Sequence, residues 1–178
     1  MAKKKTAKRV GKKRKAAKRA TKKRVAAVPA GSHTVTPYLV VSDALAAIDF
    51  YQRAFGAKLR YQMTMAGKIG HAEMKVGDSQ IFLADEFPGS DQKAPTAGSA
   101  ASVSLHLYFK DVKKAFDRAV TAGAQVTMPL TDMFWGDRFG KIADPFGHQW
   151  SMAQHIEDVS PKEMTKRAAA AMPPPPAA

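Results

Sequence analysis

The chain has 178 residues and a formal charge of +14, a length that suits one domain with tails. It contains no Cys, which excludes a disulfide framework, a thiolate zinc site and a cysteine nucleophile. No apolar run approaches the roughly 18 residues of a membrane span, and the N-terminus lacks the apolar centre of a secretory signal.

The excess charge sits at one end. Residues 1–24 carry fourteen cations and no acid: Lys3, Lys4, Lys5, Lys8, Arg9, Lys12, Lys13, Arg14, Lys15, Lys18, Arg19, Lys22, Lys23 and Arg24. The remaining 29 − 14 = 15 basic residues balance 15 acidic ones, so the rest of the chain is near neutral. With Val10 as its one sizeable apolar side chain, the arm cannot bury enough surface to offset its chain entropy, and disorder is the expectation for residues 1–32, linker included. Such a charge density binds DNA, RNA or another polyanion through phosphates, with steep salt dependence. No aromatic side chain interleaves the cations, so base stacking is not indicated. The expected location is cytoplasmic, with nucleoid association a consequence of the arm.

The middle of the chain repeats itself. Asp43, Asp49 and Ala54 have identical partners 68 residues later, at Asp111, Asp117 and Ala122. Gly56-Ala57 matches Gly123-Ala124 after one deletion. Each copy opens on an apolar run, Val35–Val41 or Val103–Phe109, read as a strand. Asp43 and Asp111 then stand where a carboxylate can cap a helix. Leu45, Ile48, Tyr51 and Phe55 recur at helical spacing in the first copy; Val112, Ala115, Phe116 and Val120 do so in the second. Both helices stop at a Gly suited to the left-handed position. Three strands follow each: 58–65, 71–76 and 80–84, then 125–129, 141–143 and 149–154. Residues 136–140 and 145–148 read as turns. Ser160-Pro161-Lys162-Glu163 is a capping box opening a last helix. The Ala/Pro-rich segment 166–178 reads as a helix end and a tail. The resulting fold class is α+β: two tandem βαβββ modules, 33–87 and 101–157, within a domain of residues 33–165.

Three segments carry a resemblance: TPYLVVSDALAAIDFYQRAFGA (36–57), HAEMKVGDSQIFLAD (71–85) and WGDRFGKIADPFGHQWSMAQH (135–155). They resemble the vicinal-oxygen-chelate superfamily, the glyoxalase/bleomycin-resistance/dioxygenase type, and within it the PhnB-like branch. The resemblance implies a curled mixed sheet around a cleft, helices outside, closed within one chain or exchanged in a homodimer. Metal-using members place His, Glu or Gln ligands on equivalent strands of both modules. Here the corresponding places are Thr36, Ser104 and Ser151, and only the strand of His71 and Glu73 keeps ligand types. Hydroxyls are poor ligands for Zn, Ni or Fe. A divalent metal is therefore not expected at the standard positions; His71, Glu73 and His106 are the candidates for a non-standard one.

Strand alternation nominates the ligand-facing side chains. His71 and Glu73 are the candidate catalytic pair, since an imidazole beside a carboxylate can move protons near neutral pH. Tyr38, Ser104, His106 and Ser151 would line the site, with Trp135 as an apolar wall. Arg138 can fork onto a carboxylate or phosphonate, or pair with Asp137 or Asp144. Trp150, of opposite parity to Ser151, is expected in the core. His148 in the turn is expected to be exposed, and Met63, Met65 and Met74 to fill core or pocket. Three functions stay open: a glyoxalase-like lyase or isomerase acting on an oxygen-rich or anionic small molecule, a non-catalytic sequestering module like the bleomycin-resistance proteins, and a nucleic-acid-tethered protein.

Overall fold

The structure is a computed structural model and describes residues 25–96 and 102–171. The cations of residues 1–24 lie outside the described residues. The element order is β1 (Tyr38–Val41), α1 (Ala44–Phe55), β2 (Lys58–Met65), β3 (Lys68–Val76), β4 (Ser79–Asp85), β5 (Ser104–Tyr108), α2 (Val112–Ala122), β6 (Gln125–Asp132), β7 (Asp137–Ala143), β8 (Gln149–His155) and α3 (Pro161–Ala171). The strands form two four-stranded mixed sheets, ordered β1-β4-β3-β2 and β5-β8-β7-β6. Each module thus repeats one path. A first strand leads into a helix, and the last strand returns parallel to the first.

The helix ends follow from local chemistry. Asp43 and Asp111 each accept the amide of the third residue on, Ala46 and Lys114, at 3.0 Å. Gly56 (φ 68°) and Gly123 (φ 117°) close the helices in the left-handed region, which costs glycine no Cβ clash. Glu163 N donates to Ser160 Oγ at the start of α3, as the capping box requires.

Some boundaries differ from the sequence reading. β1 begins at Tyr38 rather than Val35, because Pro37 has no N–H to give; its carbonyl accepts Phe82 N and the ladder starts there. β3 begins at Lys68, continuing out of the Ala66-Gly67 turn. Residues 137–140 are strand, not turn. Gly140 serves close packing: a Cβ there would lie 2.9 Å from the Phe116 ring of α2 and 3.1 Å from Met128 O. Leu45 and Val120 fall off their helices' buried stripes and are exposed. Met74 is fully buried, but Met63 and Met65 are exposed on β2.

The core spans both modules. α1 and α2 pack on one another, and Arg53 and Arg118 each reach a carbonyl near the other helix's end. Trp150 of β8 is fully buried, 4.7 Å from Phe55 and 5.4 Å from Tyr51, ring centre to ring centre. Burying one such side chain contributes about 1.5–3 kcal/mol. Asp144 sits at this junction, accepting from Tyr51 Oη (2.8 Å), Trp150 Nε1 (2.9 Å), Phe146 N and His148 N. Burial, and then the Asp144 carboxylate, push the Tyr51 phenol well above its ordinary range. His148 is half-buried rather than exposed, with Nε2 donating to Val40 O at 3.0 Å.

Candidate functional site

Each sheet puts one set of alternate side chains against the helices; the other set faces away, with Ala84, Ser151 and Ala153 of that set still buried. On the first sheet Leu39, Val41, Ala72, Met74 and Leu83 are buried. Tyr38, His71, Glu73 and Phe82 therefore point the other way. The register sets Tyr38 beside Phe82 and Phe82 beside Glu73. His71 is held at both nitrogens: Nδ1 lies 3.2 Å from Tyr38 Oη and Nε2 3.5 Å from Glu73 Oε1. Gln80 Nε2 donates to Glu73 Oε2 at 2.9 Å, and Ser32 Oγ donates to Gln80 Oε1 at 3.0 Å. A hollow of about 220 Å³ opens here, lined by Glu73, Arg60, Lys75 and Gln80 and by Ala30 and Gly31 of the linker. The side chains of His71 and Glu73 stay 24% and 33% exposed, so the pair is reachable by a small molecule. Burial raises the Tyr38 phenol above its ordinary value.

The open face of the second sheet carries His106, whose Nδ1 lies 2.8 Å from Ser151 Oγ. The register pairs His106 with Ser151 and puts Ser104 two pairs further along, beside Gln149. Trp135, on the turn before β7, donates Nε1 to Asp137 Oδ2 at 3.2 Å. Tyr108 Oη donates to the same oxygen at 3.2 Å. Burial first, and then the Asp137 carboxylate, raise the Tyr108 phenol. Asp137 Oδ1 faces His155 Nδ1 at 2.8 Å, and His155 Nε2 faces Asp158 Oδ1 at 2.9 Å. With a carboxylate at each nitrogen, hydrogen bonds from His155 to Asp158 first and to Asp137 second raise the His155 pKa. The sequence reading gave this histidine no such role.

Arg138 does not present its fork to the open face. It lies in β7 and grips Asp132 on β6 at 2.6 and 2.9 Å. Neither Asp137 nor Asp144 is its partner. The hydrogen bond from Arg138 holds Asp132 below its ordinary range.

The structure therefore brings together His71, Glu73 and Tyr38 on one sheet, and His106, Ser151, Tyr108 and Trp135 on the other. It does not join His71 and Glu73 to His106 within one chain. Among the described residues no group of three or more His, Asp or Glu lies where it could hold a metal ion. The registers make Tyr38 and Phe82 the counterparts of His106 and Ser151. At the places the resemblance assigns to ligands, Thr36, Ser104 and Ser151 carry hydroxyls, which are poor ligands for Zn, Ni or Fe. Phe82, Phe139, Lys141 and Gln80 share these faces and were missed. Phe82, Gln80 and Lys141 could have been found by extending the alternation along the strands read at 80–84 and 141–143; Phe139 was hidden by reading residues 136–140 as a turn.

A larger opening of about 420 Å³ is lined by His33, Pro37, Asp78, Gln80, Leu105 and Trp150, and it reaches His106 at the free edge of β5. Its walls are mostly apolar, and it shares Gln80, which donates to Glu73, with the smaller hollow.

Two mixed sheets built on the same repeated path set the fold beside known proteins. A sequence model of the Glyoxalase/Bleomycin resistance protein/Dioxygenase superfamily matches residues 31–152. The chain belongs to this superfamily. A Mycobacterium bovis protein of uncharacterised function, Mb0911c, is 41% identical over 134 residues, covering 73% of this chain and 88% of that protein. The crystal structure of TioX from Micromonospora sp. ML1 superposes with a TM-score of 0.57 at 27% identity, over 70% of this chain and all of TioX. A PhnB protein from Bacillus cereus shares the fold with a TM-score of 0.54 at 17% identity, over 68% of this chain and 99% of that one. As a superfamily member, the chain keeps the tandem modules. No helix among the described residues is long and apolar enough to cross a membrane.

Proposed function

We propose that the protein binds a small molecule between two open faces, the first sheet of one copy and the second sheet of another, with His71 and Glu73 handling protons. The carrying observation is the His71–Glu73 contact with Tyr38 and Gln80 on its flanks: an oriented, half-exposed acid–base pair where the fold leaves the sheet uncovered. The second half, His106 with Ser151, shares no hydrogen bond, ion pair or ring contact with the first among the described residues. Tyr38, Tyr61, Met63 and Tyr108 stay exposed on or beside these faces, as expected of a surface a partner covers. A two-fold dimer brings unlike faces together twice, and each site then contains both clusters.

Proton transfer at a carbon or oxygen of the bound molecule is the chemistry available. Glu73 orients His71, and Gln80 holds the other carboxylate oxygen. The ligand is small and oxygen-rich or anionic. Arg60 and Lys75 beside Glu73, and Lys141 on the partner face, supply the positive charge that Arg138 does not.

Complementation tests the arrangement. Glu73→Gln and His106→Ala should each abolish turnover of a compound found by metabolite screening, while Glu73→Gln leaves binding within about threefold. Mixing the two variants should restore up to a quarter of the wild-type sites, because one site in each mixed dimer is intact. No recovery, together with a monomer in sedimentation, would overturn the shared site. Unchanged turnover in Glu73→Gln would remove Glu73 from the chemistry, and binding without turnover in the wild type would leave a sequestering module instead.

A second reading concerns the arm. Fourteen cations in 24 residues supply non-specific phosphate contacts sufficient to hold the protein on nucleic acid. Deleting residues 1–28 should remove salt-sensitive DNA binding and leave the unfolding midpoint unchanged. DNA binding that survives the deletion would refute the tether.

A further inference from the structure

The sequence reading expects a small oxygen-rich ligand, yet what the open faces chiefly present is rings. On the first sheet Tyr38 lies 5.6 Å from His71 and 6.0 Å from Phe82, His71 and Phe82 are 4.9 Å apart, and Tyr61 is 6.3 Å from His71. On the second sheet Phe139 stacks on His106 at 5.9 Å with 20° between planes. Trp135 stands edge-on to Phe139 at 5.6 Å, and Tyr108 edge-on to His106 at 4.6 Å.

Two ring positions recur in both modules. The registers make Tyr38 the counterpart of His106, and His71 the counterpart of Phe139. None of these side chains belongs to the core. Tyr38, Tyr61 and Tyr108 remain 46%, 52% and 64% exposed. Folding therefore does not account for them, and exposed rings grouped this way mark a surface that something covers.

The polar groups nearby are largely committed. Arg138 is forked onto Asp132, and Asp137 is taken up by Tyr108, Trp135 and His155. Among the described residues the one cation standing over a ring is Lys141, with Nζ 5.9 Å from the Phe139 centroid.

We infer that the ligand is a flat aromatic molecule bearing an acidic substituent, stacked between the ring clusters with its acid at Lys141. This rests on the reading above that two open faces form one ligand site, and it narrows the small oxygen-rich or anionic molecule to a planar aromatic one. Stacking on aromatic faces discriminates a flat ring from a saturated one of the same volume, which area burial alone does not.

The test uses the full chain and three probes: 1-naphthoate, its fully saturated counterpart decahydronaphthalene-1-carboxylate, and methylphosphonate. Trp150 is fully buried and Trp135 is not, so ligand-dependent change in tryptophan emission reports the open face. Naphthoate should bind saturably by calorimetry and quench Trp135. The saturated acid should bind at least tenfold more weakly. Phe139→Leu and Tyr38→Leu should each weaken naphthoate at least fivefold with the unfolding midpoint retained; Trp135→Phe should abolish the emission change. Equal binding of the flat and saturated acids would overturn the inference. Saturable methylphosphonate binding without naphthoate binding would overturn it and leave the shared small-molecule site standing. Binding of none of the three, with the rings protected in a dimer, would sink both readings.

Discussion

The two modules share a skeleton and differ on the face that the skeleton does not use. In both, an Asp caps the helix, a Gly ends it, and the last strand returns parallel to the first. The likeness extends to a detail the repeat did not reveal. Asp85 at the end of β4 accepts Ala44 N, and the register-equivalent Gln154 on β8 accepts Val112 N. Each helix thus has its first amide closed by the strand lying beside it. The open faces diverge instead: Glu73 stands opposite in charge to its counterpart Lys141, and Phe82 corresponds to Ser151. Positions that pay for folding stayed alike, and positions free of it took up chemistry.

That contrast can be broken most forcefully at Asp144, which belongs to the second module but holds Tyr51 of the first. Asp144→Ala leaves two buried side-chain donors and two turn amides unmatched. At about 1–3 kcal/mol for each buried group left without a partner, a loss of about 3 kcal/mol or more is expected in denaturant unfolding. Asp144→Asn should cost less. An Asp144→Ala midpoint equal to wild type would show that the modules do not depend on this junction.

Gly136→Ala should come next. A Cβ there would lie 2.1 Å from Glu157 O, and φ is +96°. A loss of roughly 1–3 kcal/mol follows from the strained backbone alone, checked by thermal unfolding. Gly136 thus packs on the segment between β8 and α3; Gly77→Ala, where a Cβ meets only open space at φ +59°, gives the local strain by itself.

His155 provides a pH-dependent difference between the modules. Its pKa is raised in the folded protein by Asp158 and Asp137. Its contribution is therefore complete below the ordinary histidine value of about 6.5, and is lost as pH rises through the higher folded value. Backbone NMR shifts of Ile156 and Glu157, whose amides both donate to Gly136 O, should titrate with His155. His155→Gln should abolish that titration. A titration that persists would assign the transition to another group.

The smallest effect is expected where the modules look most alike on the surface. Asp49–Arg53 and Lys113–Asp117 are i,i+4 pairs, each more than half exposed. Solvent screening leaves such pairs little net worth, so Asp49→Ala and Lys113→Ala should leave the unfolding midpoint unchanged within error.

Much of the fold was legible because its signals are local. The caps at Asp43 and Asp111, the stops at Gly56 and Gly123 and the repeat at 68 residues need only neighbours in sequence. The turn reading of residues 136–140 failed because Gly140 answers to Phe116, twenty-four residues away in sequence, rather than to a bend. The candidate site was half legible. Alternation along β3 gave His71 and Glu73, but nothing in the sequence says that Arg138 is spent on Asp132, or that His155 stands between two carboxylates. Those depend on strand register.

The sequence by itself determined two capped βαβββ units, the side chains each strand turns from its helix, and the confinement of the excess charge to residues 1–24. These rest on backbone periodicity and on the chemistry of caps and turns, which act within a few residues. Only the tertiary structure decided that α1 and α2 pack together, that Asp144 ties the modules through Tyr51, and that the His71 and His106 clusters stay apart within one chain. Such outcomes follow from which sheets meet and in what register, a choice made by packing between segments distant in the chain.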